Sequence, residues 1–305
     1  MAHRVARRCY CSHHPVHQPA RRLLARSLRR APAINERNEN EPSQNDTGDD
    51  PLGRPSRPQR RRARNTLAAF RKAFEFGGRN VTCETDLGIT RDGELVLIHD
   101  KTVDRTTDGH GIVHDMTYSE LSKLDAGSWF SSEFVGERVP LLKDALQLAR
   151  ELGIIYQLEL KIYDANDVFF PKLRTLIDEL GCADLLQFSS FDYVQLKAVK
   201  EAIPEVPTVG LMHSRLIDPA ALARQANLDA MNIEIYHFAS GEARQLHNEG
   251  FAAFCYLPTG YHEKLAQYGV DVETQLVQWV REGQLDQLLG DDVAQVARLK
   301  DRANG

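Results

Sequence analysis

The 305-residue sequence predicts an α/β fold, a barrel of parallel strands with helices outside. Three observations point there. From Leu141 to Tyr256, amphipathic stretches of helical length alternate with short apolar runs of strand length, the signature of strands joined by crossover helices. The spacing is even, which favours a closed barrel over a doubly wound sheet, and no glycine-rich dinucleotide fingerprint is present. A barrel of about 250 residues would use most of the chain.

An apolar content of 42% and a charged content of 27% suit a soluble globular protein. A net charge of −5 carries no nucleic-acid signature, so no nucleic-acid partner is expected. No apolar run reaches the roughly 18 residues of a membrane span, so no integral membrane segment is expected either. The five cysteines, Cys9, Cys11, Cys83, Cys182 and Cys255, are odd in number and scattered, which argues for a reducing, cytoplasmic compartment.

Residues 1–64 differ from the rest. The stretch up to Pro32 is rich in arginine and has no acid, residues 35–50 are polar and acidic, and residues 51–64 are again rich in Arg and Pro. Such composition cannot bury a core, so 1–64 is expected to be disordered and 65–305 to form the domain. An Arg-rich, acid-poor start has the character of an organellar transit peptide, and a wrongly assigned start site or reading frame gives the same pattern. Cys9, Cys11, His13 and His14 together contain zinc-ligand types, but their spacing matches no standard site.

The domain opens with a helix from Asn65 through Ala73. The apolar run 81–87 alternates, so Glu84 and Asp86 share one face of a strand. Two like charges side by side need a cation, and Mg²⁺ or Ca²⁺ is the hard ion that oxygen ligands select. An exposed acidic edge is the bland alternative. Asp92-Gly93 turns the chain into the buried run 95–98, which ends in His99-Asp100. A histidine at the carboxyl end of a buried strand sits where α/β proteins keep their chemistry, and its titration range suits general acid–base work. No helix fits between Asp86 and His99, so the two runs are expected to form a hairpin.

Residues 101–140 lack helical periodicity apart from a short helix at 117–124, with Thr117 and Glu120 as a capping box. Trp129 is expected to pack this insertion onto the barrel, with a pocket-lining role as the alternative. Helices then fall at 141–152, 170–180, 192–203, 219–226, 241–249 and 272–282. Strands fall at 154–161, 185–189, 208–212, 230–235, 252–256 and 285–289. In the first of these strands Glu159 and Lys161 share a face. Alone they read as a buried ion pair. With Glu84 and Asp86 they offer three carboxylates for one divalent ion and a lysine for phosphate charge.

In order along the chain, the motifs ETD, TRDG, LVLIHD, DRTTDGHG, MTYSELSKLDAGSWF, GERVPLL and LELK resemble the glycerophosphodiester phosphodiesterase family. The match is dense from Asn65 to about Lys161 and looser to about Val293. The resemblance implies a TIM-type barrel with a small insertion after the His99 strand. It implies a divalent metal held by Glu84, Asp86 and Glu159, with His99 as general acid/base and Lys161 on the phosphate. The implied reaction converts a small-molecule glycerophosphodiester to glycerol 3-phosphate and an alcohol.

Phe188-Ser189-Ser190-Phe191-Asp192 is similar to the family's strand-end Ser-Phe turn, and Gly290-Asp291-Asp292 to its closing turn. Phe254-Cys255-Tyr256-Leu257 replaces the family's Trp-Thr-Val-Asn, making Phe254 or Tyr256 the pocket aromatic. One departure is larger. The family opens with a strand ending His-Arg-Gly, then Pro-Glu-Asn-Thr. Here Arg64 precedes Asn65-Thr66, and the only His-Arg, His3-Arg4, is followed by Val5. The first strand is therefore expected to be missing or degenerate, and the family's second catalytic histidine has no counterpart. The resulting expectation is a weak catalyst. The alternatives are a degenerate barrel that binds metal and ligand with little turnover, and a sphingomyelinase-D-like lyase on the same scaffold.

Overall fold

The computed structural model describes residues 33–34 and 65–305, apart from 80, 164, 239–240, 259, 268 and 270. The remaining tail, including Cys9, Cys11, His13, His14 and His3-Arg4, lies outside the described residues.

The strands are β1 Ala33–Ile34, β2 Thr82–Ile89, β3 Leu95–Leu97, β4 Ile155–Leu160, β5 Leu186–Ser190, β6 Thr208–Leu211, β7 Ala230–Glu234, β8 Ala252–Leu257 and β9 Gln287–Gly290. The helices are α1 Leu67–Gly77, α2 Tyr118–Leu121, α3 Leu142–Leu152, α4 Asn166–Leu180, α5 Tyr193–Ala202, α6 Pro219–Gln225, α7 Ile235–Phe238, α8 Glu242–Asn248, α9 Tyr261–Ala266, α10 Val272–Arg281 and α11 Val293–Asn304. A parallel ladder runs β1-β2-β4-β5-β6-β7-β8-β9, and β1 lies beside β9, so the sheet curls round on itself. This is the α/β barrel the alternation predicts. The hairpin is present as well: β3 pairs antiparallel with β2, Leu97 opposite Leu87.

The first strand is degenerate. Two residues, Ala33–Ile34, pair with Thr82 and Cys83. They come from within the stretch that composition placed outside the domain. The exposed edge of β2 needs a backbone partner, and two residues satisfy part of it without any periodic pattern to betray them.

Strand residues alternate between two environments. Tyr156, Leu158, Leu160, Phe188, Met231 and Ile233 face the helices and share the main core with Phe70, Leu146, Phe169, Leu173 and Leu246. Burying a large apolar side chain stabilises by about 1.5–3 kcal/mol, so this shell dominates the fold. Phe70 of α1 meets Tyr156 edge-on at 4.7 Å, which ties the helix to β4. The other face fills the barrel. Gln287 donates to Gln157 (3.2 Å) and accepts from Gln187 (3.4 Å) on one side. Val209, Ala230, Ala252, Phe254 and Leu289 pack on the other.

The insertion has its own small core of Val96, Ile98, Val103, Val113, Leu121, Ala126 and Val139. The predicted capping box is formed at α2, which is one turn long, shorter than 117–124. Asp125 accepts from the backbone N–H groups of Ser128, Gly136 and Gly127 at 2.7–2.9 Å, and these donors pull its carboxyl down to about 2. Trp129 donates to the Ala126 carbonyl (2.9 Å) and meets Phe130 edge-on, both contacts within the insertion itself. Helix α4 starts at Asn166, ahead of the expected 170, with Pro171 inside it. Burial of Phe169 and Phe170 outweighs the hydrogen bond that proline cannot donate. Cys83, Cys182 and Cys255 are buried; burial, with Asp184 nearby, pushes the Cys182 thiol up to about 11. Among the described residues no helix is long and apolar enough to cross a membrane.

Candidate active site

The inward face of β2 carries Glu84 and Asp86, and the register sets Asp86 beside Glu159 of β4. One oxygen from each carboxylate lies within 4.8 Å of the others, and all three residues are buried. Lys161, just past the end of β4, holds its Nζ 2.7 Å from Asp86 Oδ1 and 3.9 Å from Glu159 Oε2. Burial pulls the lysine's pKa down, but Asp86, Glu159 and Glu84 outweigh it and the net shift is upward, so the ammonium stays charged. Glu159 is one residue from the carboxyl end of β4 and Lys161 just past it, the end where barrel enzymes work.

Asn65 is a member of this cluster that the sequence reading treated only as a helix start. Its Nδ2 donates to Asp86 Oδ2 (3.2 Å) and its Oδ1 accepts from Thr85 (2.8 Å). It does so from a left-handed backbone (φ 53°), which asparagine tolerates better than most residues. The next residue, Thr66, caps α1 through Ala69 N–H. The signal was an Asn directly before an N-cap, too short to separate from ordinary capping.

His99 arrives by the hairpin. Ile98 N–H donates to the Asp86 carbonyl (3.0 Å), which brings the end of the hairpin alongside the backbone of Asp86. His99 Nδ1 lies 2.6 Å from Asp100 Oδ1. Arg105 grips the same carboxylate with Nε (2.6 Å to Oδ2) and Nη2 (2.9 Å to Oδ1). Burial raises the Asp100 pKa, but His99 and Arg105 together outweigh it and hold the carboxyl well below its usual range. An ionised carboxylate only accepts, so Nδ1 carries the proton in this contact and Nε2 is left for proton transfer. The ring is half-buried. Asp100 and Arg105 lay within motifs quoted from the sequence, but nothing local pairs them.

A cavity of about 380 Å³ opens on the other side of the mouth, at the ends of β5 to β8. Its walls include Phe191, His213, Glu234, Tyr236, Tyr256 and Tyr261. Of the two candidate pocket aromatics, Tyr256 lines it, whereas Phe254 is buried in the barrel interior. Tyr256 points its hydroxyl at both oxygens of Asp291 (2.9 Å each).

Against known proteins, residues 57–295 match the model of the glycerophosphoryl diester phosphodiesterase family. A glycerophosphodiester phosphodiesterase of Caldanaerobacter subterraneus is 36% identical over 178 residues, 57% of this chain and 70% of that protein. Glycerophosphodiester phosphodiesterase 1 of Bos taurus is 40% identical over 119 residues, 36% of this chain and 35% of that protein. The crystal structure of the glycerophosphodiester phosphodiesterase of Agrobacterium tumefaciens superposes with a TM-score of 0.65 at 25% identity, covering 78% of this chain and 94% of that one. A phosphodiesterase of Oleispira antarctica superposes at 0.66 with 23% identity (79% and 91% covered), a likeness of fold.

Proposed function

The chain belongs to the glycerophosphoryl diester phosphodiesterase family, and we propose that it cleaves glycerophosphodiesters to glycerol 3-phosphate and an alcohol with the help of a divalent metal. The observation that carries this is the convergence of Glu84, Asp86 and Glu159 beside Lys161. Three buried carboxylates form a hard-oxygen donor set, and bringing them together without a cation is costly. The set fits Mg²⁺ or Ca²⁺, with Glu84, Asp86 and Glu159 as its ligands. A divalent ion bound there supplies Lewis-acid polarisation of a phosphoryl oxygen.

The chain's own residues do the rest. Lys161 offsets the charge that grows on a phosphoryl oxygen. Water adds its oxygen to phosphorus, the P–O bond to the alcohol breaks, and the alcohol leaves with a proton. His99 Nε2 transfers a proton in this exchange, and Asp100, clamped by Arg105, keeps the ring aimed and in the right tautomer. The reading as a binding barrel without turnover is disfavoured by relatives that carry the enzyme's name at 36% and 40% identity. The weak catalysis expected from the absent His-Arg-Gly motif concerns residues before Asn65 and stays part of this proposal.

The test is release of glycerol 3-phosphate from glycerophosphocholine by the full chain. Activity is expected with Mg²⁺ or Ca²⁺ and should vanish with a chelator. His99→Ala should lower kcat about 10²–10⁴-fold. No product with either ion would overturn the reading. Full activity in His99→Ala would remove His99 from the mechanism.

A further inference from the structure

We propose that the cavity at the ends of β5 to β8 receives the cationic end of the substrate's alcohol arm, so that the protein prefers glycerophosphodiesters whose leaving alcohol carries an ammonium or quaternary ammonium group. This rests on the hydrolase reading above and adds to it a choice of alcohol.

The two sides of the mouth differ in charge. The phosphate side carries the ammonium of Lys161 among the carboxylates proposed to hold a divalent ion, with Arg105 clamped on Asp100. The cavity side carries Glu234, and its described lining residues include no lysine or arginine. A phosphodiester with a cationic alcohol would set its anion at Lys161 and its cation at Glu234.

The walls suit such a group. Tyr236 and Tyr261 meet edge-on at 5.0 Å and form a corner. Phe191 stacks on His213 at 4.5 Å, and His213 Nδ1 donates to Glu234 Oε1 at 2.9 Å, which fixes the carboxylate at the wall. Tyr256, held by Asp291, supplies a further ring. Aromatic faces attract ammonium groups through the ring quadrupole, most strongly where water is partly excluded. A polyol alcohol gains little from such faces, because it needs hydrogen-bond partners for each hydroxyl.

The experiment compares kcat/KM for glycerophosphocholine with that for its uncharged isostere, the 3,3-dimethylbutyl diester, which has the same shape without the charge. The wild-type chain is expected to prefer the charged substrate about tenfold or more. Glu234→Gln keeps an acceptor for His213 but removes the charge, and should cut that preference to within about threefold; Tyr236→Leu should reduce it as well. Equal rates for the two substrates in the wild type, or a preference unchanged by Glu234→Gln, would overturn the proposal and point to the glycerol arm as the occupant. If the wild-type chain cleaves neither substrate, the hydrolase reading fails by itself. The cavity is then decided by calorimetry with choline chloride: binding weakened about tenfold in Glu234→Gln supports it, and absence of binding sinks it.

Discussion

Two lysine–aspartate pairs sit at opposite ends of the barrel. At the lower end Lys200 of α5 donates to Asp229 Oδ2 (2.8 Å) and to the Val206 carbonyl (3.1 Å). The same Oδ2 accepts from Thr208 N–H (2.8 Å). One ammonium answers one carboxylate, with side chains only 3% and 1% exposed. At the mouth, Lys161 faces Asp86 at a similar 2.7 Å, but Glu84 and Glu159 stand in the same cluster. The contacts look alike; the charge sums do not. A balanced pair closes the bottom of the barrel and demands nothing more. A cluster with surplus buried negative charge is held together at a cost, and folds retain such clusters where a ligand supplies the missing charge.

Removing a charge at each end should therefore have opposite consequences. Asp86→Asn relieves crowding but removes a metal ligand. Activity on glycerophosphocholine should fall about 10³-fold, the several kcal/mol that a Lewis acid contributes, while urea unfolding shows stability unchanged or raised. A large loss of stability with activity preserved per folded molecule would make the mouth cluster a structural pair like the lower one. Lys200→Met should do the reverse. It leaves Asp229 buried without its ammonium and should cost about 3–5 kcal/mol in urea unfolding, with kcat/KM per folded molecule within about twofold of wild type. If activity collapses while stability holds, the lower pair is not merely structural.

The smallest effect belongs to a carboxylate of a third kind, with no buried partner. Asp125 is held by backbone N–H donors from Ser128, Gly136 and Gly127. Its folded pKa is depressed from 3.8 to about 2, so its contribution to the insertion is fully present above 3.8 and is lost as pH falls through about 2. A carboxyl carbon NMR titration should give a midpoint near 2, and Asp125→Asn should abolish that acid step. A midpoint near 3.8 would mean that the amide cradle does not persist in solution.

Much of this was legible in the chain. Strand and helix alternation is written in hydrophobic period, which acts over a few residues. The pairing of Glu84 with Asp86, and of Glu159 with Lys161, follows from the two-residue period of a strand. The hairpin at 87–97 follows from the absence of room for a helix and the Asp92-Gly93 turn. The strands that start at 208, 230 and 252 and the helices that start at 219 and 272 begin where expected, while other ends moved by a residue or a few, because termini are set by capping and packing.

Other features have no local cause. Ala33–Ile34 reads as part of a polar, arginine-rich stretch, and only the open edge of β2 makes it a strand. Asp100 and Arg105 become a clamp on His99 because the loop after β3 folds back on itself. The cavity is lined from the ends of four strands and the segments that follow them, so no window of sequence contains it. Lys200 and Asp229 are 29 residues apart and meet only when α5 packs against β5 and β6, which brings Lys200 to the residue that precedes β7.

The sequence by itself determined the fold class, the hairpin and the pairs of charged residues that share a strand face, because backbone periodicity converts spacing directly into direction. Tertiary structure alone decided that the two strand pairs face one another across a ladder in register. It also decided that His99 is oriented by Asp100, and that the mouth has one side built on Lys161 and three carboxylates and another that is aromatic with Glu234. These depend on strand register and on loops converging from distant parts of the chain, which are selected by burial of the whole core and by satisfaction of buried charge.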